Sequence, residues 1–218
     1  MRRPNSSRFT GFPAEAFTYF SAVAADTSWE TVERLEDLHA RAVRGPMCEL
    51  VAQLEDEFGP GKVYRLHRSP SLWIAQHAYA ERSANSVYGL TLELDGLEVE
   101  AGWIHARPEL LPRYREAVLD DESGARLQRI VDDLERRDHE IIGHTLRTQP
   151  RGASPDHPRV RLLRHRSLVA VRRLGRGAWL GGPDAVDVVR DAWRELTPLA
   201  DWLAEVLDGD ATRGTPRK

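Results

Sequence analysis

Residues 143–177 concentrate the groups of this chain that are best suited to bind an anion. They contain nine arginines and one acid, Asp156, for a local charge of +8. The whole chain has a formal charge of −3, so the remaining residues sum to −11 and charge is segregated along the sequence. Guanidinium groups donate hydrogen bonds in a planar fork that matches phosphate and carboxylate oxygens. The segment therefore predicts a basic surface that faces an anionic small molecule or an acidic partner.

The candidate ligand-binding residues are arginines from separate parts of the chain. They are Arg68, Arg151, Arg161 and Arg164. A short helix is predicted to begin near Pro158, which places Arg161, Arg164 and His165 on one stripe and turns Leu162 and Leu163 toward the core. Such a stripe can contact phosphates, but it can equally be solvated or pair with acids of the C-terminal helices. The sequence leaves these interpretations open.

Two residues are candidates for proton transfer, and both have an alternative interpretation. In the pair Asp156-His157 the carboxylate could orient the imidazole, which titrates near neutral pH. Asp156 also directly precedes His157-Pro158, a position from which its side chain could cap the short helix instead. Tyr79 is the second candidate, because it lies in the strand region that follows Arg68.

The sequence predicts no metal site and no cofactor. Its eight histidines include no pair at the spacing of a helical zinc motif, and Cys48 is the single cysteine. One thiol excludes an internal disulfide and a multi-thiolate zinc site. The glycines around Trp179 match neither a phosphate-binding loop nor a dinucleotide fingerprint. An isoelectric point of about 6.3, together with the lack of a recognised nucleic-acid-binding motif, argues against a nucleic acid partner.

Length and composition indicate one globular domain. The chain has 218 residues, of which 41% are hydrophobic, which is enough to bury a core. No apolar run approaches the roughly 18 residues that cross a membrane, and the first eight residues lack the hydrophobic stretch of a secretion signal. We expect a cytoplasmic location, no membrane partner, a single domain over residues 9–208, and disordered tails at residues 1–8 and 210–218.

Hydrophobic periodicity predicts the elements that must position these residues. A first helix is expected to end near Asp26, and capping-box spacing at Thr27 begins a second helix, which Gly45-Pro46 should break before a third. The remaining predictions are strands at 63–67 and 72–79, a hairpin of 88–94 and 97–103 about an Asp95-Gly96 turn with positive φ angles, helices at 108–119 and 125–137, strands at 139–146 and 168–173, and a terminal helix from Pro183 that Pro198 should break or kink. They predict an α+β fold with an antiparallel or mixed sheet of about five to six strands, covered by N-terminal and C-terminal helices.

Several short motifs resemble those of a known family. They are Phe9-Thr10-Gly11-Phe12-Pro13, Trp29, Pro46, residues 61–68, Ala101-Gly102-Trp103, Pro150-Arg151-Gly152, and Asp156-His157-Pro158-Arg159 followed by Leu162-Leu163-Arg164. Together they resemble the uncharacterised bacterial family called domain of unknown function 2461, over about residues 9–208. The resemblance implies an α+β fold and a cytoplasmic bacterial setting, with no activity to carry over. Residues 69–80 replace a densely charged stretch of the family with uncharged residues and His77, so the chain resembles a divergent member.

These observations favour a non-catalytic binding or interaction module whose basic surface meets an anionic small molecule or an acidic partner. The alternative is an enzyme that acts on a phosphorylated or carboxylated metabolite, in which arginines hold the anion and His157 or Tyr79 transfers a proton. Convergence of Arg68, Tyr79, Arg151 and His157 on one pocket would favour the enzyme. A third possibility is a scaffold that dimerises through an exposed apolar face of the sheet. The oligomeric state is left open by the sequence.

Overall fold

The computed structural model describes residues 8–65, 73–105 and 107–209. The α-helices are α1 (Ala14–Ala25), α2 (Trp29–Arg34), α3 (Glu36–His39), α4 (Gly45–Ala52), α5 (Glu55–Phe58), α6 (Leu111–Leu119), α7 (Asp121–Arg136), α8 (Val160–Leu163) and α9 (Ala185–Asp208). The strands are β1 (Gly61–Val63), β2 (Ala75–Ser83), β3 (Ser86–Glu93), β4 (Gly96–Trp103), β5 (Glu140–Ile142) and β6 (Leu168–Gly175). A π-helical turn covers Ala40–Arg44. The tails that the sequence predicts to be disordered lie outside the described residues, apart from the exposed Arg8.

The strands form one open, antiparallel sheet of six strands, which confirms the predicted α+β fold. The strand order is β1-β2-β3-β4-β6-β5, so β1 and β5 are the edge strands. At one edge Lys62 lies opposite Tyr79, and at the other Ile141 lies opposite Ala170. The strands predicted at 63–67 and 72–79 fall partly on residues 66–72, which lie outside the described residues.

The hairpin of β3 and β4 confirms the clearest strand prediction, although its turn differs by one residue. The turn residues are Leu94 and Asp95, and Gly96 already belongs to β4. Gly96 has a φ of 120°, whereas Asp95 does not take the predicted positive φ. A Cβ at Gly96 would lie 2.1 Å from the carbonyl oxygen of Gly175, so the close approach of these two backbones requires glycine there.

Helix α2 is capped one residue later than predicted. Ser28, and not Thr27, is the N-cap of α2, and its Oγ accepts a hydrogen bond from the Thr31 N–H at 3.2 Å. Asp26 in turn accepts hydrogen bonds from the Ser28 N–H and from the Thr31 hydroxyl. These bonds satisfy donors at the start of α2 and end the first helix where the sequence predicts.

The predicted break at Gly45-Pro46 is wrong, because the helical path continues through it. The π-helical turn at Ala40–Arg44 leads directly into α4, and the Gly45 N–H donates to the Ala40 carbonyl five residues earlier. Pro46 then lies in the first turn of α4, where its missing N–H needs no acceptor. The wider turn also relieves the clash that a proline ring makes with the preceding turn of a regular α-helix.

The predicted break at Pro198 is also absent. Helix α9 begins at Ala185 and runs without interruption to Asp208 with Pro198 inside it. Thr197 directly precedes Pro198, and its hydroxyl donates to the Trp193 carbonyl, one turn earlier in the helix, at 3.0 Å. Side-chain hydroxyls of this kind supply hydrogen bonds to helix carbonyls close to a proline, whose own N–H is missing.

The described residues form two compact units. Unit 1 comprises residues 8–65, 73–81, 89–99 and 173–192, and unit 2 comprises residues 82–88, 100–105, 107–172 and 193–209. The core of unit 2 contains Tyr114, whose ring centroid lies 5.7 Å from that of Trp103 and 6.0 Å from that of Trp202. The buried Tyr114 hydroxyl donates to the Leu162 carbonyl at 3.0 Å and thereby ties α8 to α6. The single domain over residues 9–208 stays a prediction.

Candidate functional site

Unit 2 contains a short two-stranded extension of the sheet that carries several basic side chains. Residues 144–147 run antiparallel to residues 164–166, and Thr145 is paired with His165. The Arg166 N–H donates to the His144 carbonyl at 2.6 Å, and the Leu146 N–H donates to the Arg164 carbonyl at 2.8 Å. We call residues 144–147 together with residues 164–166 the basic ladder.

Gly143 separates β5 from the basic ladder. The strand predicted over residues 139–146 therefore ends at Ile142. The φ of Gly143 is 139°, and a Cβ at this position would lie 2.2 Å from the Ser167 carbonyl oxygen. On the next residue, the His144 N–H donates to the Ser167 hydroxyl at 2.9 Å. The chain therefore bends at Gly143 but stays hydrogen-bonded to the segment that contains Ser167.

Arg164 holds the two segments of the basic ladder together. Its Nε–H donates to the Leu146 carbonyl at 2.8 Å, and its Nη2 donates to the Arg147 carbonyl at 2.6 Å. Carbonyl oxygens carry only partial charge, so these bonds orient the guanidinium group without neutralising it. Arg164 is thus a positioning residue for residues 146 and 147, and its cationic charge stays on the ladder.

Arg151 lies at the tip of a tight turn. The Ala153 N–H donates to the Pro150 carbonyl at 3.1 Å, and Gly152 has a φ of 89°. These features define a type II turn, in which glycine is favoured at the third position and the second position, here Arg151, faces outward. Pro150-Arg151-Gly152 therefore presents an exposed guanidinium group, which has no hydrogen-bond or ion-pair partner within the described part of the chain.

Two arginines of the basic ladder complete this set, and the sequence did not single them out. Arg147 and Arg166 are exposed, and their guanidinium groups have no partner among residues 8–65, 73–105 and 107–209. Because four residues reach at most about 14 Å, Arg151 stays close to Arg147 along the chain. The three arginines of the basic ladder and Arg151 of the neighbouring turn therefore have no carboxylate partner in the described structure.

Most of the other arginines of residues 143–177 have partners. Arg161 forms a two-pronged ion pair with Glu135 of α7, with N–O distances of 2.5 and 3.0 Å. The bond to Glu135 raises the pKa of Arg161 above its ordinary value. Arg172 and Arg173 form ion pairs with Glu195 and Glu98, respectively, and the Arg176 guanidinium lies 3.7 Å from the centroid of the Phe17 ring.

The predicted stripe of Arg161, Arg164 and His165 does not form a single surface. Leu162 and Leu163 are buried as predicted, but His165 is only 5% exposed. Its Nδ1 lies 3.0 Å from the Ser167 carbonyl oxygen, and burial lowers the pKa of the imidazole. Helix α8 ends at Leu163, so the three side chains diverge after one turn. The ligand-binding role of Arg161 and Arg164 stays a prediction.

The Asp156-His157-Pro158-Arg159 motif has a structural role that the sequence analysis did not identify. The N-cap of α8 is Arg159, and the predicted cap by Asp156 is absent. Instead, the Arg159 N–H donates to the His157 Nδ1 at 3.1 Å. This bond occupies the imidazole nitrogen that lies nearer to the backbone. The predicted cap by Asp156 is wrong because the turn before α8 places the His157 imidazole, and not the Asp156 carboxylate, next to the Arg159 N–H.

The Arg159 side chain closes the C-terminal end of helix α6. Its guanidinium group donates to the carbonyls of Val118, Leu119 and Asp120 at 2.8, 3.1 and 3.3 Å. Only 9% of the residue is exposed. The last carbonyls of a helix lack intrahelical partners and carry the negative end of its dipole, so a buried cation satisfies both needs.

The remaining candidate residues are Tyr79 and Arg68. Tyr79 belongs to unit 1, where its ring faces the Lys62 ammonium at 5.6 Å and the Tyr64 ring at 5.5 Å. Arg68 lies outside the described residues. Convergence of Arg68, Tyr79, Arg151 and His157 on one pocket therefore remains a prediction, and so does proton transfer by His157 or Tyr79.

Three cavities of about 380 to 450 Å³ lie within single units. Two lie in unit 2, beside residues 129–136 and beside residues 121–129, and one lies in unit 1 beside Gly11 and Arg41. Their linings include neither the basic ladder nor Arg151, Arg161, Tyr79 or His157. The described residues contain no group of three potential metal ligands, and none of their helices has the length and apolarity needed to cross a membrane.

The chain matches a family of conserved hypothetical proteins over most of its length. The model of the family described as "Conserved hypothetical protein (DUF2461)" matches residues 15–202. No curated protein and no solved structure matches the chain. The family match covers both halves of the basic ladder and the Pro150–Ala153 turn.

Proposed function

This chain belongs to the DUF2461 family of conserved hypothetical proteins, and because that description names no activity, we propose a function from the chain's own residues. The protein is a non-catalytic binding module of the cytoplasm. Its basic ladder and Arg151 bind an anionic small molecule or an acidic protein surface.

One observation carries this proposal: four arginines of residues 143–177 that have no carboxylate partner in the described structure lie on the basic ladder and its adjacent turn. Arg161, Arg172 and Arg173 form ion pairs with Glu135, Glu195 and Glu98, respectively, and the two partners of each pair come from different parts of the chain. The four arginines of the basic ladder and its adjacent turn have no such partner in the described structure. A protein with a net charge of −3 has enough acids to pair them, so their exposure together favours an external anion.

The surrounding charge adds to the effect of these four arginines. Residues 141–155 contain no aspartate or glutamate, so no acid of the same segment competes for the guanidinium groups. Exposed cations interact with one anion weakly, but several on one surface attract an extended anion together. Because these charges are accessible to solvent, we expect binding to weaken as salt is added.

The double variant Arg151→Ala/Arg166→Ala tests the proposal. We expect it to lower the affinity for polyglutamate and for inorganic polyphosphate about tenfold, because two charge-assisted contacts are lost. The matched control is Arg161→Ala/Arg173→Ala, which removes the same formal charge from two exposed arginines that already have carboxylate partners. Isothermal titration calorimetry with each probe measures the affinities, and circular dichroism checks that both variants are folded.

Two results would contradict the proposal. One is that neither probe binds the unaltered protein at low ionic strength. The other is that the control variant loses as much affinity as Arg151→Ala/Arg166→Ala, since binding would then depend only on net charge and not on the arginines without partners.

A further inference from the structure

Strand β5 offers an open edge next to the basic ladder. It is the last strand in the order β1-β2-β3-β4-β6-β5, so within the described part of the chain it has a neighbour on one side only. In an antiparallel pair, alternate residues direct their N–H and C=O groups away from the neighbouring strand. These groups can pair with the backbone of another extended segment.

The edge continues beyond β5 into the basic ladder. Residues 144–147 pair with residues 164–166 on the same side on which β5 pairs with β6. The edge from Glu140 to Arg147 thus spans eight residues, of which Glu140–Ile142 form a strand and Thr145 forms a further bridge. Gly143 interrupts its regularity, as a bulge would.

The side chains along this edge change from the exposed Glu140 to apolar and then to basic residues. Ile142 is 40% exposed, which makes it one of the few large apolar side chains on the described surface. His144 and Arg147 follow it and are also exposed. A strand that pairs here would place its own side chains about 5 Å from these, close enough for an apolar residue to cover Ile142 and for acids to meet Arg147.

We propose that the basic ladder binds an extended acidic peptide segment of another protein, which adds as a strand to the edge formed by residues 140–147. The inference rests on the proposed function and names its partner. The peptide contributes backbone hydrogen bonds to the open edge, one apolar side chain over Ile142, and carboxylates that pair with Arg147 and with Arg151 on the neighbouring turn.

The open edge distinguishes a peptide from a nucleic acid. Both are anionic polymers, and both can contact arginines. Only a peptide backbone carries alternating N–H donors and C=O acceptors at the spacing of a strand, whereas a phosphodiester backbone carries acceptors alone. The carbonyl groups of the β5 edge therefore gain partners from a peptide and not from a phosphodiester.

The test uses the unaltered protein and three synthetic peptides of one sequence, in which glutamate and valine alternate over eight residues. One peptide is unmodified, one is N-methylated at its odd amides, and one is N-methylated at its even amides. N-methylation keeps the charge and removes the donors on one side of the strand. We expect one methylated peptide to lose about tenfold or more in affinity while the other stays close to the unmodified peptide. Hydrogen exchange at residues 140–147 should slow when the unmodified peptide binds.

Each other outcome overturns strand addition. If both methylated peptides bind as well as the unmodified one, the contact is electrostatic only and the proposed function alone survives. If inorganic polyphosphate or single-stranded DNA binds but the peptide does not, the partner is of another class. If sedimentation shows a dimer whose formation protects residues 140–147 without peptide, the edge is occupied by a second copy of this chain. If neither peptide nor polyphosphate binds, the proposed function fails as well.

Discussion

Replacing Arg159 by alanine is expected to lower the free energy of unfolding by about 3 kcal/mol. The guanidinium group is buried and donates to three carbonyls at the end of helix α6. Alanine would remove the guanidinium donor from the Val118 and Leu119 carbonyls, whereas the Asp120 carbonyl would keep the Gly124 N–H. It would also open a space beside helix α7. Urea unfolding followed by far-ultraviolet circular dichroism measures the change, with the slope of the transition checked for two-state behaviour.

Arg161→Ala is the matched control for this prediction. It removes an arginine two residues away whose partner, Glu135, is also partly exposed. Exposed ion pairs of this kind contribute about 1 kcal/mol or less. Gly124→Ala provides a second variant, because its Cβ would lie 2.7 Å from the Arg159 Nε and 2.1 Å from the Val118 carbonyl oxygen. The interpretation of Arg159 as a helix cap is wrong if Arg159→Ala costs no more stability than Arg161→Ala.

Acidification is expected to destabilise the protein through His39. This residue is 3% exposed, and burial lowers its pKa from 6.5 to about 4, with the nearby Arg44 acting in the same direction and a hydrogen bond with Gln76 opposing it. The folded state therefore binds fewer protons than the unfolded state between these two values. Stability is full above pH 6.5, falls as the pH decreases toward 4, and levels off below that value. The loss from this one group is about 3 kcal/mol.

A pair of variants isolates the contribution of His39. His39→Gln should flatten the part of the stability profile between pH 7 and pH 4, whatever its effect at neutral pH. Tyr19→Phe is the control, because the Tyr19 ring lies 5.0 Å from the His39 ring and its hydroxyl has no partner within the described structure. That change leaves the histidine in place, so the slope should persist. Equal slopes in His39→Gln and the unaltered protein would contradict the assignment.

Other buried histidines contribute in the same direction. Burial lowers the pKa of His77, His139 and His165, so each is more stable in its neutral form in the folded protein. The slope left in His39→Gln therefore includes the contributions of these three groups.

The elements with the strongest hydrophobic periodicity could be predicted from the sequence. The β3–β4 hairpin alternates apolar and polar residues, and α7 repeats its buried Leu127, Val131 and Leu134 at helical spacing. The continuous path through Pro46 could not be predicted, because it depends on a π-helical turn that no local pattern indicates. The cap of α2 was misplaced by one residue because both Thr27 and Ser28 can cap a helix. In the structure Ser28 is the cap, and its N–H and hydroxyl donate to the Asp26 carboxylate.

The candidate site was predicted as a segment but not residue by residue. The +8 charge of residues 143–177 singles out a segment of 35 residues that contains the basic ladder, and its role in binding stays a prediction. Which arginines remain available depends on carboxylates that come from distant elements, such as Glu135 and Glu98, and the sequence does not pair them. Arg159 was missed as a structural residue because its acceptors are backbone carbonyls, which every residue has.

The π-helical turn at Ala40–Arg44 has an evolutionary consequence. Such a turn holds one more residue than the α-helical turn that would fill the same place. Deleting one residue from it would restore an ordinary helix and rotate everything before it by about 100° relative to α4. Relatives that tolerate a one-residue gap here should therefore also show a shifted pattern of apolar positions in the preceding helices, whereas relatives of equal length should keep the pattern of this chain.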